Sequence, residues 1–223
     1  MSGEKVWNDE SRDTLRETLR WRILGELRLS RQGDSDILQY CCDLEIKDVC
    51  PEDEWETFEQ FAVEELKRAA ARLASEKATW PAVTDCDRLD RVEGALRERG
   101  ILLWQVSPCC DTCSGGALPD RVDEIDARYP GFRDRVRGYA FFIEQTMAES
   151  LGEGTELSVY LAYGWWLPED TEIADEDYKQ KALGIAREVC EGLRNEGFEP
   201  NWDGDFARKI GISLNWQRRT RVQ

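Results

Sequence analysis

Histidine is absent from all 223 residues. That removes the side chain most often used as a general base near neutral pH and the commonest metal ligand, and with it every hydrolytic triad of the histidine type. Surplus positive charge is also missing. Thirty Lys and Arg stand against 46 Asp and Glu, a formal net charge of −16. Contacts to a phosphate backbone need clustered basic side chains, so nucleic acid is not the expected partner. The balance favours solubility, a basic protein partner or bound cations. No apolar run approaches the length of a membrane span, and the opening MSGEKVWNDESRD has no apolar core of a signal peptide. The expectation is a soluble, cytoplasmic protein whose thiols stay reduced. A phosphate-cradling glycine loop is lacking too, because Gly115-Gly116 has neither the following glycine nor the lysine.

The sequence is rich in tryptophan and cysteine, with nine and eight residues respectively. Along the chain, Leu15, Leu19, Ile23 and Leu27 recur at helical spacing, which predicts a helix over 9–29. A second helix, capped by Asp34 or Ser35, carries Ile37, Tyr40, Cys41 and Leu44 on one face. A third carries Trp55, Phe58, Ala62, Leu66 and Leu73 and runs to about Lys77. The first part, 1–78, therefore reads as helical. From Thr79 onward the pattern changes. Thr84 and Asp87 have capping-box spacing ahead of a helix that Gly100 stops. Ile101 to Val106 is apolar except for Gln105, as in a central strand covered on both faces. Alternating strands follow at Gly138 to Gln145 and from Leu157 to Tyr163. A long helix then ends at Gly197, and two last strands occupy 198–202 and 210–216. The expected fold class is α+β. A helical N-terminal region (1–78) precedes a mixed sheet covered by helices (79–223), ferredoxin-like or a related sandwich.

The densest chemistry is SPCCDTCSGG, with Cys109, Cys110 and Cys113. A C-x-x-C pair can hold one ion from a tight turn, and zinc would take Cys109, Cys110 and Cys113 with Cys86 or a carboxylate such as Asp111 as the fourth ligand. The same spacing serves thiol redox chemistry. A redox site of that kind opens onto a helix N-terminus, whereas here Ser114-Gly115-Gly116 is expected to intervene. Buried packing is the third reading of the cluster. Asp85, Asp87, Asp203 and Asp205 would hold a divalent cation if folding joined their loops, although cap and turn chemistry already explains them. Trp165 and Trp166 precede an acidic loop with Glu169 and Asp170, a candidate interaction surface, or core closing over the sheet edge.

Taken together, TWPAVTDCDRLD, CCDTC, WDGD and the closing NWQRR resemble a family of uncharacterised bacterial proteins classed as a domain of unknown function. The resemblance is strongest from Thr79 onward and carries no activity with it. It implies a glycine directly after the third cysteine, where this chain has Ser114, and a histidine where it has Ile143. A metal or catalytic site completed by that histidine in relatives would be lost here. Two functions follow as expectations. One is a non-enzymatic protein that binds a basic partner through its acidic surface. The other is a zinc-binding or thiol-redox protein centred on Cys109, Cys110 and Cys113.

Overall fold

The computed structural model describes residues 7–108, 110–167 and 171–222. The fold is α+β, with a helical N-terminal region and a four-stranded mixed sheet. The chain forms two compact units, and both are assembled from separate stretches of sequence.

The first unit takes Met1–Ala82, Thr146–Thr155 and Trp216–Gln223. Helix α1 (Asp9–Leu29) starts at Asn8, whose side-chain oxygen accepts from the Ser11 amide at 3.0 Å. Its Leu15, Leu19 and Ile23 are buried, as the spacing predicts. Helix α2 (Asp34–Tyr40) is capped one residue earlier than expected, at Gly33, where the Asp36 carboxylate accepts from the Gly33 amide. It then passes into a π-helical turn, Cys41–Ile46. The wider i→i+5 turn rotates the following side chains. Leu44, expected inside, is 50% exposed, and Ile46 takes the buried position. Helix α3 (Trp55–Thr79) packs Phe58, Ala62 and Leu66 against this core.

Two later segments complete the unit. Helix α8 (Met147–Glu153) lies against α1. The approach depends on Gly25, where a Cβ would stand 1.8 Å from the Ala148 carbonyl oxygen. Trp216 is fully buried, its indole N–H donating to the Arg28 carbonyl at 3.1 Å.

The second unit takes Val83–Gln145 and Glu156–Asn215. Its elements are α4 (Asp85–Glu98), β1 (Ile101–Ser107), α5 (Asp111–Gly116), α6 (Leu118–Arg128), α7 (Phe132–Arg135), β2 (Gly138–Ile143), β3 (Glu156–Trp165), α9 (Asp175–Asn195) and β4 (Ile210–Asn215). The sheet order is β1-β2-β3-β4, with β1 and β2 parallel and the other pairs antiparallel. The parallel strands are direct neighbours, so this is the related sandwich and not the split βαβ of a ferredoxin-like fold. Strand β1 is buried on both faces as expected, yet it stands at the edge of the sheet. An apolar run reports that both faces are covered, and says nothing of lateral position.

The capping box at Thr84 is present, with Asp87 accepting from the Thr84 amide at 2.8 Å. On one face of the sheet, Leu102 and Phe141 pack beneath Leu118, Val122 and Ile125 of α6 and Phe132 of α7. Alternation turns Ile101, Leu103 and Ala140 to the other face, where α4 and α9 pack. A Cβ on Gly138 would stand 2.4 Å from Ile185 of α9, so glycine is what lets that helix lie so close. The expected strand at 198–202 is absent; only Asn201 bridges to Gly211. Pro200 has no N–H to give a ladder, and the stretch leads straight into a turn. No helix among the described residues is long and apolar enough to cross a membrane.

Candidate functional site

Strand β1 and its parallel neighbour β2 stay in register from Ile101↔Gly138 to Trp104↔Phe141, and the next pair is Ser107↔Ile143. Three steps on β1 match two on β2, so one residue bulges out of the ladder. The bulge contains Val106 at φ 52°. A buried β-branched residue in the left-handed region is a true outlier, and such strain costs on the order of 1–3 kcal/mol. What the strain achieves is visible one residue on. Ser107 is turned fully inward and donates to the Phe142 carbonyl at 3.2 Å.

Ser114, also fully buried, sets its hydroxyl 2.9 Å from both Ser107 Oγ and the Pro108 carbonyl. Two serines thus bolt the short helix α5 to the end of the strand. The first helical bond of α5 runs from the Ser114 amide to the Cys110 carbonyl at 2.9 Å. Cys110 is therefore the N-cap, with extended φ −119° and ψ 172°, and Cys113 stands three residues on in the first turn. The expectation that Ser114-Gly115-Gly116 separates the cysteines from a helix is corrected. Ser114 anchors the helix, and the two glycines are its last turn. Asp111, next to Cys110, is held by Lys209 Nζ at 2.5 Å.

The C-x-x-C pair thus sits at the carboxyl end of a parallel strand, at the start of the helical crossover in a β-α-β unit. Open α/β sheets place ligands and reactive groups at that end. Cys110 is half-buried and Cys113 exposed, both as thiols. Cys86 is buried on α4. Cys109 lies outside the described residues. Among the described residues no three His, Cys, Asp or Glu side chains stand together as an ion site.

The remaining cysteines have a different character. Burial pushes the Cys41 thiol up to about 12. It raises Cys42, Cys50 and Cys190 as well. At all four, the raised value favours the thiol over the reactive thiolate.

Beside the site, Gln105, the polar residue inside the apolar run of β1, has a task that its surroundings did not reveal. The buried Gln105 amide donates to Asp90 at 2.9 Å and to Glu93 at 2.7 Å, tying the strand to α4. Burial raises the Glu93 carboxyl above its ordinary range, and the Gln105 hydrogen bond partly offsets this. Arg121, buried on α6, packs its guanidinium 5.6 Å from the Trp104 ring. A lone polar residue within an apolar strand was the available signal for this network. Ser107 and Ser114 gave none.

The four aspartates each accept a backbone amide. Asp85 accepts from the Asn215 amide at 2.9 Å, and Asp87 caps α4. Asp203 accepts from the Asp205 amide, and Asp205 from the Ala207 amide, both at 3.0 Å. Trp165 stacks edge-on to Tyr178, with the Lys181 ammonium 4.6 Å from its ring. Trp166 packs with the α6 and α7 cluster. Glu169 and Asp170 lie outside the described residues.

The profile of one family, a domain of unknown function (DUF6891), matches residues 12–220. The chain belongs to the DUF6891 family. Comparison with curated proteins and with solved structures finds no match. The DUF6891 profile spans both units, the discontinuous helical one included.

Proposed function

We propose that this DUF6891 chain is a thiol–disulfide protein in which Cys110 and Cys113 pass between dithiol and disulfide. The observation that carries the reading is the position of the pair, across the first turn of a helix that directly follows a parallel strand. Residues three apart on a helix are neighbours, with about 5–6 Å between Cβ atoms. A disulfide needs about 3.5–4.5 Å, and Cys110, still extended at the N-cap, has the backbone freedom to close the gap. The raised thiol values of Cys41, Cys42, Cys50 and Cys190 support the reading, because they disfavour the reactive thiolate at those four positions.

The test is oxidation of the reduced full chain with oxidised glutathione, followed by non-reducing peptide mapping and elemental analysis of the same preparation. A Cys110–Cys113 disulfide, formed with loss of two hydrogens and unaffected by Cys109→Ser, is the expected result. Near-stoichiometric zinc that disappears in Cys110→Ser would instead make the cluster a metal site. A second reading, docking of a basic protein partner, draws support from the net charge of −16. Salt-sensitive capture of a basic protein by the reduced and oxidised chain alike would favour it.

A further inference from the structure

The redox reading leaves open which sulfur meets the substrate, and the shape of α5 answers that. At 3.6 residues per turn, Cys110 lies about 40° around the helix from the buried Ser114, and Cys113 lies about 100° from it. The burial agrees: Cys110 is half-buried, while Cys113 is exposed. The surroundings repeat the asymmetry. On the Cys110 side, Ser114 is fixed to Ser107 and Pro108. Beyond Cys113, a Cβ placed on Gly115 or Gly116 would meet nothing within 4 Å. Gly116 is three residues from Cys113 and shares its face, and it presents no side chain there. Thiol–disulfide exchange depends on access to the attacking sulfur as well as on its ionisation.

We infer that Cys113 is the attacking thiol and Cys110 the resolving one, acting on a disulfide presented across the open glycine turn of α5. The assignment rests on the redox reading above. Cys113, having released its proton to solvent, attacks one sulfur of the substrate disulfide. A Cys113–substrate S–S bond forms, the substrate S–S bond breaks, and the departing thiolate takes up a proton. Cys110, deprotonated in turn, attacks Cys113 Sγ. The Cys110–Cys113 disulfide forms, and the second substrate thiolate leaves outward and is protonated. Two electrons pass from the pair to the substrate, which is reduced to two thiols.

The experiment uses oxidised glutathione as the substrate disulfide on the full chain, in wild type, Cys110→Ser and Cys113→Ser. Intact mass and peptide mapping follow each reaction. Cys110→Ser should accumulate glutathione on Cys113 several-fold faster than Cys113→Ser accumulates it on Cys110. Wild type should pass to the internal disulfide without a lasting adduct. Timed alkylation of reduced wild type needs no variant and should modify Cys113 before Cys110. A faster adduct on Cys110, or alkylation in the reverse order, overturns the assignment and leaves the redox reading standing. Absence of any internal disulfide in wild type overturns both.

Discussion

Glu26 is a carboxylate buried in the helical unit. It is 6% exposed on α1, and its Oε2 has no hydrogen-bond partner among the described residues. Burial raises its carboxyl above the ordinary 4.5, with Arg22 and Arg31 pulling the other way. A folded-state value raised above the unfolded one means that the folded chain holds the proton more tightly. The stability this gives is full below pH 4.5 and is lost as pH rises through the folded value. Glu26→Gln removes that loss, so the variant should gain on wild type as pH rises from 4 to 8. The gain should be about 1.4 kcal/mol for each pH unit by which folding raises the carboxyl. Urea unfolding at both pH values measures it, and a gap that does not change with pH would refute the argument. Single residues were also where the sequence was hardest to read. Leu44 fitted the helical spacing and ended outside, because nothing in CCDLEI announces a π-helical turn. Gln105 stood out as polar, but its carboxylate partners Asp90 and Glu93 belong to another element and could not be paired with it in advance.

At the scale of elements, helices with strong periodicity were legible almost to the residue. The reading of 9–29 coincides with α1, and the capping box marked the start of α4. Strands β2 and β3 were equally plain from alternation. Legibility failed where tertiary bonds decide the structure. Gly115-Gly116 looked like a loop, since glycine weakens helices, yet the segment coils because Ser114 is tied to Ser107 and Pro108. The bulge at Val106 has no local signal at all. This arrangement makes Ser114 the support of the cysteine pair. Ser114→Ala should leave the Ser107 hydroxyl short of a partner, costing about 1–3 kcal/mol. Amide hydrogen exchange should then rise in α5 more than in α9. Equal exchange in the two helices would show that the serines are not what hold α5.

For the whole molecule, the N-terminal helices do not make a unit alone. The helical unit also takes α8, from between β2 and β3, and the segment from Trp216, from the far end of the chain. Trp216 is fully buried, and removing so large a side chain costs about 3–5 kcal/mol. A fragment of residues 1–82 should therefore lack the cooperative thermal transition that the full chain shows by circular dichroism. A sharp transition in the fragment would contradict this. The division was not legible because tryptophan after a strand reads as the strand's own end, and sequence order hides which segments return to an earlier core. The apolar coverage of β1, the mixed sheet and the cysteine cluster were all legible in outline, and the cluster's setting at a strand end came only with the fold.

The central claim is that Cys110 and Cys113 form a working redox pair, and an equilibrium redox titration of the full chain tests it most directly. The chain would be poised in dithiothreitol buffers of graded potential, with the Cys110 and Cys113 thiols counted by alkylation and mass spectrometry. The account predicts one reversible two-electron transition confined to these two residues. Its midpoint should lie above about −300 mV, the range of labile and catalytic disulfides. Thiols that stay reduced across the whole range, or oxidise only irreversibly and at other cysteines, would contradict it.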